Sequence, residues 1–213
     1  MKRLFDISAS VCALLVFSPL FVALGLLVKF SSRGPMLYWS DRVGRNNVIF
    51  RMPKFRTMRT DTPELATHLL SDSDNWITPL GKILRATSLD ELPQLLCVIA
   101  GQMSLVGPRP ALFNQHDLVE LRTQAGVHVL TPGVTGWAQV NGRDELAIPV
   151  KVRFDSFYLE NQSLWLDLRI LFRTVWKVFR REGIQQADSA AVLPMTSNAD
   201  PAEEMQDRVK GAA

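Results

Sequence analysis

The stretch VFSPLFVAL, Val16–Leu24, sets a Ser-Pro pair in the middle of an apolar run that extends from Ile7 to Val28. One straight helix of about 20 such residues would cross the roughly 30 Å hydrocarbon core of a bilayer. Pro19 argues against straightness. It removes a backbone donor and its ring collides with the carbonyl four residues back, so the helix kinks or ends there. Ser18 is placed to bond a carbonyl that the kink frees. Each half is then about 11 residues long and reaches only about halfway through the core. Lys2 and Arg3 precede the run, and Lys29 and Arg33 follow it. Basic flanks favour the cytoplasmic side, so both ends prefer the same side. The pattern therefore predicts a re-entrant membrane hairpin over residues 1–33, broken at Ser18 and Pro19. A kinked spanning helix leaves the flanking charges unexplained. A signal peptide lacks its A-x-A-like cleavage site here and would not carry basic residues after the run.

Outward from the hairpin, the 213-residue chain has room for one globular domain, expected over residues 34–183. A polar tail over 184–213, rich in Ala, Ser, Asp, Pro and Gln, is expected to be disordered. Formal net charge is only +3, yet the first 60 residues hold ten Lys/Arg against two acids, Asp6 and Asp41. That local excess suits anionic lipid headgroups or a phosphorylated substrate. Nucleic acid is disfavoured as a partner, because no binding motif is present and the basic run adjoins the membrane segment. Cys12 and Cys97 belong to no metal-ligand cluster, which fits a reduced compartment.

Residues 35–60 read as two short strands joined at Gly44–Asn47, and 61–79 as polar and turn-rich. A Leu-rich helix is expected from about Asp90 to Ala100, closed by Gly101. VGPRPA follows as a rigid loop, then a helix over 111–126, then TPGVTGWAQVNGR as a punctuated loop with a short strand. Two helices fill about 145–182. In the last of them Leu164, Leu168, Leu171, Val175 and Phe179 form one apolar stripe beside Arg169, Arg173, Lys177, Arg180 and Arg181. This suits a core helix with a solvated basic face, or a membrane-interfacial helix with Trp165 and Trp176 at the interface. The fold class expected is an irregular, helix-rich α/β arrangement with few short strands.

Three short motifs carry the chemistry. In ATSLDELPQLL, Ser88 and Glu91 fit an S-x-x-E capping box, so the acids at 90 and 91 have a purely structural reading as helix-start residues. Pro93 suits Asp90 as the cap better than Ser88. A carboxylate at a helix start is nonetheless held ionised, and Asp90 or Glu91 could then serve as nucleophile or magnesium ligand. In GPRP, Gly107–Pro110, two prolines restrict the backbone around Arg109 and preorganise its guanidinium for bidentate phosphate binding. KFRTM, Lys54–Met58, adds the cations Lys54 and Arg56.

In this order the pieces resemble one family. The basic start with its Ser-Pro apolar segment, KFRTM, SLDELPQL, GQMSLVGPRP, TPGVTGWAQVNGR and FDSFYLENQSLWLDLRIL are similar to the bacterial sugar transferases, monotopic phosphoglycosyl transferases that act on polyprenyl phosphate. The resemblance spans about residues 1–182 and has the look of the family's minimal form. It implies that a UDP-sugar gives its sugar 1-phosphate to undecaprenyl phosphate, releasing UMP, as the first membrane step of a bacterial glycan pathway. It further implies Asp90 as the nucleophile that forms a phosphosugar-enzyme intermediate. Glu91 would help hold magnesium or orient Asp90, and Asp90 and Glu91 together would be the metal ligands. Arg109, Lys54 and Arg56 would bind substrate phosphate, and Arg143, in NGR, the nucleotide. The implied setting is the bacterial inner membrane, with membrane lipids as partners and the catalytic domain facing the cytoplasm; a homo-oligomer is compatible with the chain. The competing readings are a noncatalytic, membrane-anchored lipid-binding scaffold and a phosphatase of lipid diphosphates.

Overall fold

The break at Ser18-Pro19 divides two helices. In the computed structural model, which describes residues 1–62, 73–142 and 146–180, α1 (Lys2–Val16) and α2 (Ser18–Ser31) are separated at Phe17 and bent by 66°. Pro19 lies in the first turn of α2, where its missing N–H breaks no bond. Ser18 Oγ donates to the Leu15 carbonyl at 2.8 Å, as the sequence led us to expect. Among the described residues no single helix is long and apolar enough to cross a membrane, although this bent pair passes that test of length and composition together.

Both ends of the pair are fastened to the body of the protein. At the start, Lys2 Nζ is 2.6 Å from Asp167 Oδ2, and the Arg3 guanidinium donates to the Val98 and Ile99 carbonyls. At the far end, Arg56 donates from Nη1 to the Arg33 carbonyl (2.9 Å) and from Nη2 to the Ser32 carbonyl (2.8 Å), the Ser32 hydroxyl (2.8 Å) and the Val28 carbonyl (3.3 Å). Those are carbonyls at the C-terminus of α2, which a helix leaves without intrahelical partners. Arg56 is 6% exposed, and burial lowers its pKa. The structure thus places Arg56, expected from the sequence to bind substrate phosphate, at the end of α2, where Nη1 and Nη2 hold backbone carbonyls while the buried Nε has no partner. Arg56→Met should lower stability by about 3 kcal/mol, measured by chemical denaturation in detergent, because three carbonyls at the end of α2 lose a charged donor at once. An unchanged midpoint would refute this clamp.

From the hairpin the chain enters β1 (Leu37–Val43) and β2 (Ile49–Phe55), antiparallel with Leu37 opposite Phe55 and Val43 opposite Ile49. The turn between them is made by Asn46 and Asn47 at φ 55° and 61°, values that asparagine tolerates better than most residues. Pro53 lies in β2, an edge strand, where a missing donor is harmless. After α3 (Ser73–Trp76) comes α4 (Pro79–Thr87), capped by Thr78 Oγ1, which accepts from Gly81 N–H at 2.9 Å. The Thr78-Pro79 pair is a readable helix start that the sequence reading passed over. Gly81 is required here, because a Cβ would run into the Thr57 carbonyl.

A short 3-10 turn, Leu89–Glu91, leads to α5 (Gln94–Ala100), ended by Gly101 at φ 90°. β3 (Ser104–Val106) follows, then β4 (Ala111–Leu112), α6 (His116–Gln124), β5 (Gly133–Thr135), α7 (Trp137–Asn141), α8 (Ile148–Glu160) and α9 (Leu164–Arg180). β4 completes a three-stranded sheet of order β2-β1-β4, and β3 pairs in parallel with β5. The fold is thus helix-rich α/β with few short strands. Within the segment read as a loop, WAQVN is helical, since its residues Trp137, Ala138 and Val140 are buried against α8 and α9.

One core joins Val106, Trp137, Val140, Tyr158, Leu166 and Ile170; another packs Phe50 and Met52 of β2 on Cys97 and Val98 of α5. In α9 the buried side is Leu166, Asp167 and Ile170, whereas Leu164, Trp165, Leu168, Phe172, Val175 and Trp176 are exposed. The apolar stripe seen in the sequence is mostly on the outside. The tail at 184–213 lies outside the described residues.

Candidate active site

Asp90 and Glu91 sit in the 3-10 turn, not in a capped helix start. Ser88 adopts φ 57° and closes α4, its N–H bonding the Leu84 and Arg85 carbonyls, and its side chain caps nothing. The capping box is therefore not formed. This left-handed residue reverses the chain between α4 and α5 and leaves both carboxylates for other partners.

Glu91 Oε1 accepts from Lys54 Nζ at 2.7 Å and from Arg109 Nη2 at 3.0 Å. Lys54 reaches it because side chains alternate along β2: Phe50 and Met52 cover α5, and Lys54 continues that face to the turn. Arg109 comes from the loop between β3 and β4, held by prolines 108 and 110. Three motifs separated by up to 55 positions thus meet at one carboxylate. Burial works against the charge of Glu91, but Arg109 and Lys54, by charge and hydrogen bond, outweigh it and hold its carboxyl far below the usual range.

Asp90 is 7% exposed. Burial pushes its carboxyl up to about 6; Lys54, Arg85 and Arg109 pull it down, and the neighbouring Glu91 adds to the rise. Arg85, from α4, was not foreseen. Its Nε donates to Thr57 Oγ1 at 2.9 Å, and the Thr57 carbonyl in turn lies against Gly81, so the first turn of α4 sets where Arg85 points. The helix-start signal at Thr78-Pro79 was the clue to it. If Asp90 must be ionised to react, kcat/KM should fall on acidification below about pH 6, some two pH units before an ordinary aspartate would protonate. The sign follows from the raised value: the proton returns earlier as pH drops. A flat profile down to pH 4.5 would contradict this environment.

Arg143 lies outside the described residues. No group of three or more His, Cys, Asp or Glu side chains is gathered among the described residues. Two adjacent carboxylates are nevertheless hard oxygen donors, and magnesium takes one or two of these while water and substrate phosphates complete its shell. Asp90 and Glu91 fit that ion.

Residues 1–181 match the family described as bacterial sugar transferase. An uncharacterised sugar transferase of Bacillus subtilis, EpsL, is 40% identical over 200 residues, covering 94% of this chain and 98% of the relative. The UDP-N-acetylgalactosamine-undecaprenyl-phosphate N-acetylgalactosaminephosphotransferase of Aeromonas hydrophila is 39% identical over 180 residues, 82% of this chain and 42% of the relative. The UDP-glucose:undecaprenyl-phosphate glucose-1-phosphate transferase of Escherichia coli is 37% identical over 186 residues, 84% and 40% respectively. The chain spans less than half the length of these last two relatives.

Proposed function

Because the chain belongs to the bacterial sugar transferase family, we propose that it transfers a sugar 1-phosphate from a UDP-sugar to undecaprenyl phosphate, as an early membrane step in bacterial polysaccharide synthesis. The observation that carries this reading is the meeting of a buried aspartate, Asp90, with Glu91, Lys54 and Arg109 at one turn. An Asp90 carboxylate oxygen attacks the sugar-linked phosphorus, and the bond from that phosphorus to the oxygen bridging the two phosphates breaks. UMP leaves with the bond electrons. A phosphate oxygen of undecaprenyl phosphate then attacks the same phosphorus, the bond to Asp90 breaks, and the carboxylate is restored. Lys54 and Arg109 turn from Glu91 to the diphosphate and offset the charge that builds on its oxygens. Magnesium, held by Asp90 and Glu91, would supply Lewis-acid neutralisation of the diphosphate.

The membrane geometry supports this. Lys2 and Arg3 at one end, and Arg56 at the other, bring both ends of the α1–α2 pair to the body that carries Asp90. On this reading α1 and α2 form a re-entrant hairpin in the cytoplasmic leaflet, the exposed Leu164, Trp165, Leu168, Phe172, Val175 and Trp176 of α9 rest on the interface, and the site faces the cytoplasm. With Cys12 replaced, a cysteine at position 2 or 33 should resist labelling from the periplasm of intact cells; labelling of either position overturns the hairpin. Function is tested by incubating the full chain in detergent with undecaprenyl phosphate, magnesium and UDP-glucose, UDP-galactose or UDP-N-acetylgalactosamine. Lipid-dependent, magnesium-dependent UMP release with one of them is expected. A binding scaffold would release nothing, and a lipid phosphatase would release inorganic phosphate without any sugar nucleotide.

A further inference from the structure

The loop that carries Arg109 is fixed through its carbonyls, because Pro108 and Pro110 have no N–H to donate. Gly133 N–H donates to the Pro108 carbonyl at 2.9 Å, and Arg42 Nη1 to the Pro110 carbonyl at 3.3 Å. The carbonyl between them, that of Arg109 itself, accepts from Arg122 Nη1 at 2.8 Å. Arg122 is in turn aimed by Asp155, whose Oδ2 accepts from Arg122 Nε at 3.0 Å and Nη2 at 2.7 Å. Arg122 stands on α6 and Asp155 on α8, and their side chains are 11% and 2% exposed. Burial pushes the Asp155 carboxyl up, while the Arg122 charge and hydrogen bonds oppose that rise.

Packing does not wedge the loop on this side. A cavity of about 30 Å³ is lined by Pro108, Arg109, Pro110, Arg122 and His128, so on this side the Arg122 hydrogen bond, and not close packing, holds the Arg109 carbonyl. The Arg109 side chain meanwhile reaches Glu91. One peptide is therefore held by an arginine on its carbonyl while its own arginine points into the site.

Resting on the reading of Arg109 as a ligand of substrate phosphate, we propose that Arg122 and Asp155 are positioning residues for Arg109: by holding its carbonyl between the two prolines they set the direction of its guanidinium before substrate arrives. Misplacement of a catalytic group by about 1 Å can cost about a hundredfold in rate. A lysine at 122 keeps the charge opposite Asp155 but lacks the fork that serves Asp155 and the Arg109 carbonyl together.

The test compares wild type, Arg122→Lys, Arg109→Ala and the double variant as full chains in detergent, by single-turnover and steady-state UMP release with the active UDP-sugar of the panel above. Arg122→Lys should lower kcat about 10- to 100-fold in the wild-type background, with KM changed less than about threefold, and lower it less than about twofold when Arg109 is already alanine. Equal losses in both backgrounds would show a general structural defect and overturn the proposal, as would an unchanged kcat in Arg122→Lys. Normal turnover in Arg109→Ala would instead sink the premise, and the proposal with it, whatever Arg122→Lys does. Should Arg122→Lys fail to fold, Asp155→Asn takes its place in the same four-way comparison, since it keeps the size and an acceptor oxygen while removing the charge that aims Arg122.

Discussion

Asp90→Asn should be folded and inactive. The side chain keeps its size and an acceptor oxygen, and at this position neither residue caps a helix, so no cap is lost with the charge. The amide cannot readily attack phosphorus, and it removes one of the two carboxylates that fit magnesium. A loss of at least about four orders of magnitude in kcat is expected, of the size seen when a catalytic nucleophile is removed. Removing a buried carboxyl whose pKa is raised should leave the thermal midpoint at neutral pH unchanged or higher, because burial of the charged form opposes folding there. Wild type given UDP-sugar and magnesium without lipid should release up to about one equivalent of UMP and become heavier by one phosphosugar. Intact-protein mass spectrometry with peptide mapping reads this directly. An adduct on a residue other than Asp90, or turnover by Asp90→Asn, removes the nucleophile assignment.

Glu91→Gln should also be nearly inactive, for a different reason. The carboxylate is the common acceptor for Lys54 and Arg109, and the neutral amide leaves two cations facing each other without a counter-charge. They should separate, and the substrate diphosphate then meets a misaligned pair. A loss of about two to three orders of magnitude is expected, with the attacking atom still present. Slow formation of the Asp90 adduct should therefore persist in Glu91→Gln and be absent from Asp90→Asn. Stability gives a second readout. The Glu91 carboxyl is held below its ordinary value of 4.5, so its contribution is present above that pH and fades as pH falls towards the folded-state value. The thermal midpoints of wild type and Glu91→Gln should differ at pH 7 and converge below about pH 4.5. A constant difference across that range would mean that Glu91 is not held by Lys54 and Arg109.

The local features were readable from residue order. A proline in the interior of an apolar run kinks or ends the helix that precedes it, and alternation over 35–60 with Asn46 and Asn47 between the strands reads as a hairpin. The motifs KFRTM, SLDELPQL and GPRP placed Lys54, Asp90, Glu91 and Arg109 among the candidates, and together with the Ser-Pro segment, TPGVTGWAQVNGR and FDSFYLENQSLWLDLRIL they pointed to the family. The contacts of Arg56 were not legible, because sequence shows a cation two positions after Lys54 but not the end of α2 lying beside it. Ser88 and Glu91 matched a capping pattern, yet the left-handed Ser88 and two distant cations won over it.

By itself, then, the sequence determined the break between α1 and α2, the helix-rich α/β class and the family to which the chain belongs, because these rest on local backbone chemistry and on motif order. Only the tertiary structure decided which cation serves the site and which serves the fold. Lys54 meets Glu91, Arg56 holds α2, Arg85 approaches Asp90, and Arg122 takes the Arg109 carbonyl. In sequence these are four similar basic residues. What separates them is which unpaired carbonyl or carboxylate the packed chain brings within reach of each, because leaving such a group buried without a partner costs free energy.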